Sequence, residues 1–255
     1  MGLNPTLTLF FRKDLKTKYI LALALIIVGA LAIDYFLGTR YPEEEFQFTG
    51  LPTFDEEEHR YKFFRTGEEV GSYNFTVKKM GMNYLMSSRT EVSSGGTQLL
   101  LESSYLFNMN YKPEDYNLNV TESDEKTVIK SEFNNDIIIT KVTAGGETVE
   151  IEEEIEEDTY LVENSMPSFW EVLIKSSNLE KGKRYNLDIF VPQSARVIPI
   201  TLLVEKELDN ISLDGKTYEC IVVKESQMEL SFYMYEGELI LYEDIRQDTS
   251  IRKNF

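Results

Sequence analysis

The chain has 255 residues, with 26 basic and 44 acidic side chains, a net charge of −18 and a single cysteine. That balance argues against nucleic acid and anionic lipid as partners of the folded part, and one cysteine rules out an internal disulfide. Setting aside the first 40 residues leaves about 215, one large domain or two small ones, long enough to bury a core without staples.

Residues 1–18 read as a short cytoplasmic segment, with Leu7, Leu9, Phe10 and Phe11 able to lie along the inner membrane face. Residues 19–37, Tyr19 to Leu37, then form an apolar stretch, unbroken from Ile20 to Ile33. At about 1.5 Å of rise per residue it is just long enough to span a bilayer as a helix. Tyr19 at one end and Tyr35 and Phe36 at the other suit the two interfaces. Arg12, Lys13, Lys16 and Lys18 precede the stretch and Glu43, Glu44 and Glu45 follow it. The N-terminus is therefore expected inside and the large domain outside, on a single-pass anchor in the cell membrane. The alternative is a cleaved signal peptide with its site at Ala30-Leu31-Ala32; either way the domain is exported. An exported domain held by its core alone points to a prokaryotic protein.

Residues 38–58 read as an acidic linker, with Pro42, Gly50 and Pro52 and the clusters Glu43–Glu45 and Asp55–Glu58. The clusters lack the spacing of a calcium loop and are expected to be solvated. From 59 to 255 the pattern is one extracytoplasmic β domain. Tyr73, Phe75 and Val77 alternate with polar residues in a strand over Val70–Lys79. Asn83–Val92 and Thr97–Met109 follow, joined by Ser93-Ser94-Gly95-Gly96. Tyr116–Glu122 pairs with Thr127–Phe133, and Ile137–Thr143 with Glu147–Ile155 across Ala144-Gly145-Gly146. In that last strand Val149, Ile151 and Ile155 share one face, and Glu150, Glu152, Glu154 and Glu156 the other. The acidic row is expected to be a solvated face.

Asn164–Ser177 is the one helix expected in the domain. Ser165 is placed to cap it, Pro167 suits its first turn, and Phe169, Trp170, Leu173 and Ile174 make the apolar stripe. Phe169, Trp170 and Leu173 are the candidate plug, or ligand face, for a concave sheet. Strands then follow at Arg184–Val191, Arg196–Leu208, Thr217–Lys224, Met228–Tyr235 and Glu238–Gln247. The fold class is mainly β: a large curved antiparallel meander or open half-barrel of about eleven strands with one short helix, behind a transmembrane helix.

The stretches Leu179-Glu180-Lys181-Gly182-Lys183-Arg184-Tyr185, Asp214-Gly215-Lys216-Thr217-Tyr218-Glu219-Cys220 and Phe232–Ile240 follow the short aromatic helix in that order, and Glu69-Val70-Gly71-Ser72-Tyr73 opens the domain. This arrangement resembles the exported all-β domains of unknown function with the architecture of the LolA-like lipoprotein-carrier fold. The resemblance implies a strongly curved sheet around a helix and an exported location, and no catalytic residues.

No nucleophile elbow, HExxH, P-loop or dinucleotide fingerprint occurs. His59 is the single histidine and is expected on the surface or at a strand edge; Cys220 is expected to be buried in a strand. Neither a cofactor nor a metal is expected, and the chain reads as a non-enzyme. Sequons stand at Asn74, Asn119 and Asn210. The reading is an accessory or interaction subunit of an envelope complex, partnered by another envelope protein. The alternative is a carrier or sensor holding a lipid or other hydrophobic ligand in the concave sheet.

Overall fold

The computed structural model describes residues 41–50, 56–134, 136–156, 158–163 and 166–255. The expected cytoplasmic segment and membrane span (1–18 and 19–37) lie outside the described residues, as does the capping residue Ser165. Among the described residues no helix is long and apolar enough to cross a membrane. The chain divides into two compact units, Met1–Pro42 and Glu43–Phe255, and the second carries the fold.

That unit is one 17-stranded sheet, curved and open, with one helix among its described residues. Strands β2 (Glu56–Arg65), β3 (Glu68–Met80), β4 (Asn83–Ser94), β5 (Thr97–Asn108), β6 (Pro113–Glu122), β7 (Glu125–Asn134), β8 (Ile137–Ala144) and β9 (Glu147–Glu154) form an antiparallel meander. Period-two alternation explains their two faces. Tyr73, Phe75 and Val77 of β3 are buried, while Asn74 and Thr76 are only half-buried. Tight turns set the register: Gly95-Gly96 and Gly145-Gly146 supply consecutive positive φ values of 61° and 86°, and 60° and 85°.

The C-terminal strands are shorter: β11 (Arg184–Val191), β12 (Arg196–Val204), β13 (Asp209–Leu213), β14 (Lys216–Glu225), β15 (Leu230–Tyr235), β16 (Glu238–Asp244) and β17 (Thr249–Lys253). β17 was not foreseen, because Ile251 is its one apolar residue and gives no alternation to read. It pairs antiparallel with β2 and so joins the C-terminal strands to the meander.

Three further expectations need correction. The linker contains β1 (Glu43–Glu45), which runs parallel along β11, and residues 56–58 already belong to β2. Phe46 and Phe48 make this ordering possible, since Phe46 packs edge-on against Tyr160 at 5.1 Å and Phe48 lies 5.5 Å from Tyr111. The sheet is also not wholly antiparallel. β10 (Tyr160–Leu161) pairs parallel with β11, and helix α1 (Pro167–Lys175) forms the crossover between them. Last, α1 is shorter than expected, with Pro167 in its first turn and Met166 at the N-cap, making no side-chain cap bond.

α1 lies against the inner face and its apolar side is sealed. Phe169, Trp170 and Leu173 are at most 1% exposed. Trp170 packs 5.0 Å from Phe232, and Phe169 lies 5.2 Å from Tyr105. Eight tyrosines and phenylalanines of the meander, from Tyr61 to Tyr116, fill the rest of this core.

Candidate functional site

Several polar groups around α1 are paired across elements, while Ser168 Oγ, Ser176 Oγ, Glu163 Oε2 and His59 Nδ1 are buried without a hydrogen bond. The Tyr61 hydroxyl donates to Glu171 at 2.6 Å, and the Leu239 amide donates to the same carboxylate at 3.3 Å. The Tyr73 hydroxyl accepts the Ser168 amide at 3.0 Å, and the Tyr111 hydroxyl donates to the Phe169 carbonyl at 3.1 Å. Tyr73 thus satisfies an amide in the first turn of α1 that the helix leaves unpaired, and Tyr111 adds a second bond to a carbonyl within the helix. Tyr116 donates to Glu163, just before the helix. Burial pushes the Glu163 carboxyl up to about 8, against the opposing bonds of Tyr116 and Ser103.

His59 is not at the surface; it is 4% exposed and stacks flat on Phe75 at 4.5 Å. Its Nε2 lies 3.2 Å from Glu57 and its Nδ1 3.3 Å from Glu171. Glu57 also receives Lys175 at 2.7 Å. The His59 bond and the Lys175 ammonium hold the Glu57 carboxyl down at about 2. Burial raises Glu171, with His59 opposing it. A histidine between two carboxylates has the parts of an acid–base relay. Here the ring is stacked into the core between β2 and α1, and its Nδ1, close to Glu171, makes no hydrogen bond. Sequence reasoning missed this cluster; the available signal was the i, i+2 spacing of Glu57 and His59 on a strand.

Among the solvent-open features of the described residues, two stand out for their apolar side chains. The first is an apolar groove of about 410 Å³ beside the C-terminal end of α1, floored by Ile174, Leu179, Val204, Ile221, Val223 and Met234. Lys175, Lys181, Glu219 and Glu236 stand among its walls. The second is the β8–β9 hairpin at the end of the sheet. The expected parity holds there, because the pairs Ile138↔Glu153, Thr140↔Ile151 and Val142↔Val149 put Val149 and Ile151 on the inner face. That face is uncovered at this point: Val149 is 60% and Ile151 37% exposed. Glu150, Glu152 and Glu154 line the other face and are exposed.

The remaining sequence candidates fall as follows. Phe169, Trp170 and Leu173 are brought together as a buried plug and do not reach the groove surface. Asn74 and Asn119 are half-buried in the middles of β3 and β6, and Asn210 is exposed on β13. Cys220 is fully buried, and burial raises its thiol to about 11, which leaves it unreactive at neutral pH. Among the described residues no three His, Cys, Asp or Glu side chains are grouped to hold a metal ion.

A family model described as "Protein of unknown function (DUF3108)" matches residues 34–242. The chain belongs to the DUF3108 family. The opening Glu69–Tyr73 motif gains a physical reason within that match. A Cβ on Gly71 would lie 1.9 Å from the Glu91 carbonyl oxygen, so the contact between β3 and β4 demands glycine there. No curated protein matches the DUF3108 chain. In structure it is similar to a β-barrel-like protein of the domain of unknown function DUF1849 from Brucella abortus, with a TM-score of 0.52 and 9% identity over 80% of this chain and 96% of that one. A duf1089 family protein from Pseudomonas aeruginosa aligns at a TM-score of 0.38 and 8% identity, over 74% and 90% of the two chains. The first of these likenesses supports the β fold, and neither neighbour bears a LolA-type description.

Proposed function

We propose that this DUF3108 protein is a membrane-tethered, extracytoplasmic β domain that binds another envelope protein as an accessory subunit, and that it is not an enzyme. One observation carries the reading. The sheet is filled from inside by α1 and aromatic side chains, yet it stops at an eight-residue edge strand, β9, with apolar side chains in water. A monomer gains nothing from such an edge, and edges of this kind serve pairing with other chains. The apolar run Tyr19–Leu37 and the basic residues before it support the tether and its orientation. The test is purification of the full-length protein from its native membrane in mild detergent. A stoichiometric protein partner is the expected result; a solitary monomer would contradict the reading.

A second reading rests on the 410 Å³ apolar groove, which is within the size range of small-molecule sites. A lipid or other hydrophobic ligand held there would fit the LolA-like carrier resemblance. Organic-solvent extraction of the purified protein followed by mass spectrometry decides it: a recovered stoichiometric lipid favours the carrier, and a clean extract removes it.

A further inference from the structure

Among the described residues β9 pairs only with β8. The Ile155 amide bonds the Asp136 carbonyl at 2.8 Å and so extends their ladder by one pair. That bond fixes the parity of the whole antiparallel pair. Val149, Ile151 and Glu153 exchange backbone bonds with β8, while the N–H and C=O groups of Thr148, Glu150 and Glu152 point off the sheet. A row of outward backbone groups is a template for one more strand.

The other end of the sheet offers no equivalent row. There β11 is flanked by β1, of three residues, and β10, of two. β12 is joined to β14 only at Leu202–Val204, which leaves Val197–Thr201 without a ladder on that side. Pro199 lacks an N–H in that stretch, and the Val197 amide is taken by Glu153 Oε1 at 3.2 Å. β13, five residues long, also pairs only with β14, so among the described residues β9, of eight residues, is the longest open edge.

Its side chains select the occupant. The inner face offers Val149 and Ile151 to an aliphatic neighbour. The outer face offers Glu150, Glu152 and Glu154. Lys141 reaches Glu150 at 3.4 Å, and among the described residues no ion pair involves Glu152 or Glu154. A second copy of β9 would set carboxylate opposite carboxylate, which is unfavourable across a strand pair. A basic strand reverses that sign.

We infer that β9 is a docking strand that takes an extended segment of a partner protein in which lysine or arginine alternates with aliphatic residues. The aliphatic side chains lie on Val149 and Ile151, the cations on Glu152 and Glu154, and the backbone bonds Thr148, Glu150 and Glu152. This rests on the binding-module reading above and adds to it the place of contact and the chemistry of the partner.

The test uses the full-length protein in mild detergent with a synthetic peptide of alternating lysine and valine. A peptide of the same composition with lysines and valines in separate blocks is the control. Hydrogen exchange is expected to slow at the amides of Thr148, Glu150 and Glu152 with the alternating peptide alone, and binding to weaken as salt is added. Glu152→Pro deletes a donor that points away from β8, so the ladder survives and peptide affinity falls at least tenfold. Should that variant lose exchange protection across β3–β5, the double variant Glu152→Lys/Glu154→Lys keeps the backbone donors and is expected to weaken binding to the same degree. Equal binding of both peptides, protection elsewhere than β9, or undiminished binding in both variants would overturn the inference. So would concentration-dependent dimers that Glu152→Pro abolishes, since the occupant would then be a second copy. A native partner that co-purifies undiminished with Glu152→Pro would leave the accessory-subunit reading standing while removing β9 as its site.

Discussion

Around α1, apolar and polar groups alike are closed off. Trp170 is walled by Phe232, and Glu171 by Tyr61, His59 and the Leu239 amide. In the β8–β9 hairpin the same two kinds of side chain are left open, with Val149 and Ile151 in water on one face and Glu152 and Glu154 on the other. The difference separates holding the fold from using it. Buried tyrosines and carboxylates that resemble active-site parts act as struts where every partner is internal. An ordinary-looking hairpin becomes the place to seek a function because, among the described residues, Val149 and Ile151 stay uncovered and no ion pair involves Glu152 or Glu154.

Four outcomes sharpen or break this contrast, the largest effect first. Trp170→Ala empties the centre of the plug and is expected to cost about 3–5 kcal/mol in chemical denaturation; a loss under about 1 kcal/mol would mean the interior is loosely filled. Glu163 gives a pH signature. Its folded carboxyl titrates at about 8 against an ordinary 4.5, so across that window the folded state holds a proton that the unfolded state has released. Stability therefore falls as pH rises from about 4.5 to about 8, by several kcal/mol in all, and levels off above. Glu163→Gln should flatten that slope in denaturation curves run at several pH values, and an unchanged slope would show that Glu163 is hydrated. Glu57 has the opposite sign: held down at about 2, it contributes stability above its ordinary 4.5 that is lost as pH falls toward 2.

Gly71→Ala forces β3 away from the Glu91 carbonyl and is expected to cost about 1–3 kcal/mol; a neutral thermal melt would show that the strands part freely. The smallest effect belongs to the hairpin. Val149→Ser with Ile151→Ser should leave stability within about 0.5 kcal/mol while reducing recovery of the membrane partner. Destabilisation comparable to Trp170→Ala would place these residues in the core and erase the comparison.

Much of this was legible in the chain. Tyr73, Phe75 and Val77 announced β3, Gly95-Gly96 and Gly145-Gly146 announced their hairpins, and the stripe Phe169–Trp170–Leu173 announced the buried side of α1. What escaped depends on pairing at long range. β17 has too little alternation to show itself before β2 receives it. β1 is acidic and became a strand because Phe46 and Phe48 dock while Arg184 meets Glu43 at 3.0 Å. His59 was buried by Phe75 of the neighbouring strand and by Glu171, which is more than a hundred positions away. The faces of β9 were assigned correctly, yet the exposure of Val149 and Ile151 follows from β9 ending the sheet, which no local pattern states.

The most direct test of the account places a photo-crosslinking amino acid in the full-length protein in its native cells, at Ile151 on the hairpin and, separately, at Ile221 in the groove. The account predicts a discrete protein adduct from position 151 and none from 221. Adducts to lipid from 221, with nothing from 151, would contradict it and make the apolar groove the working site.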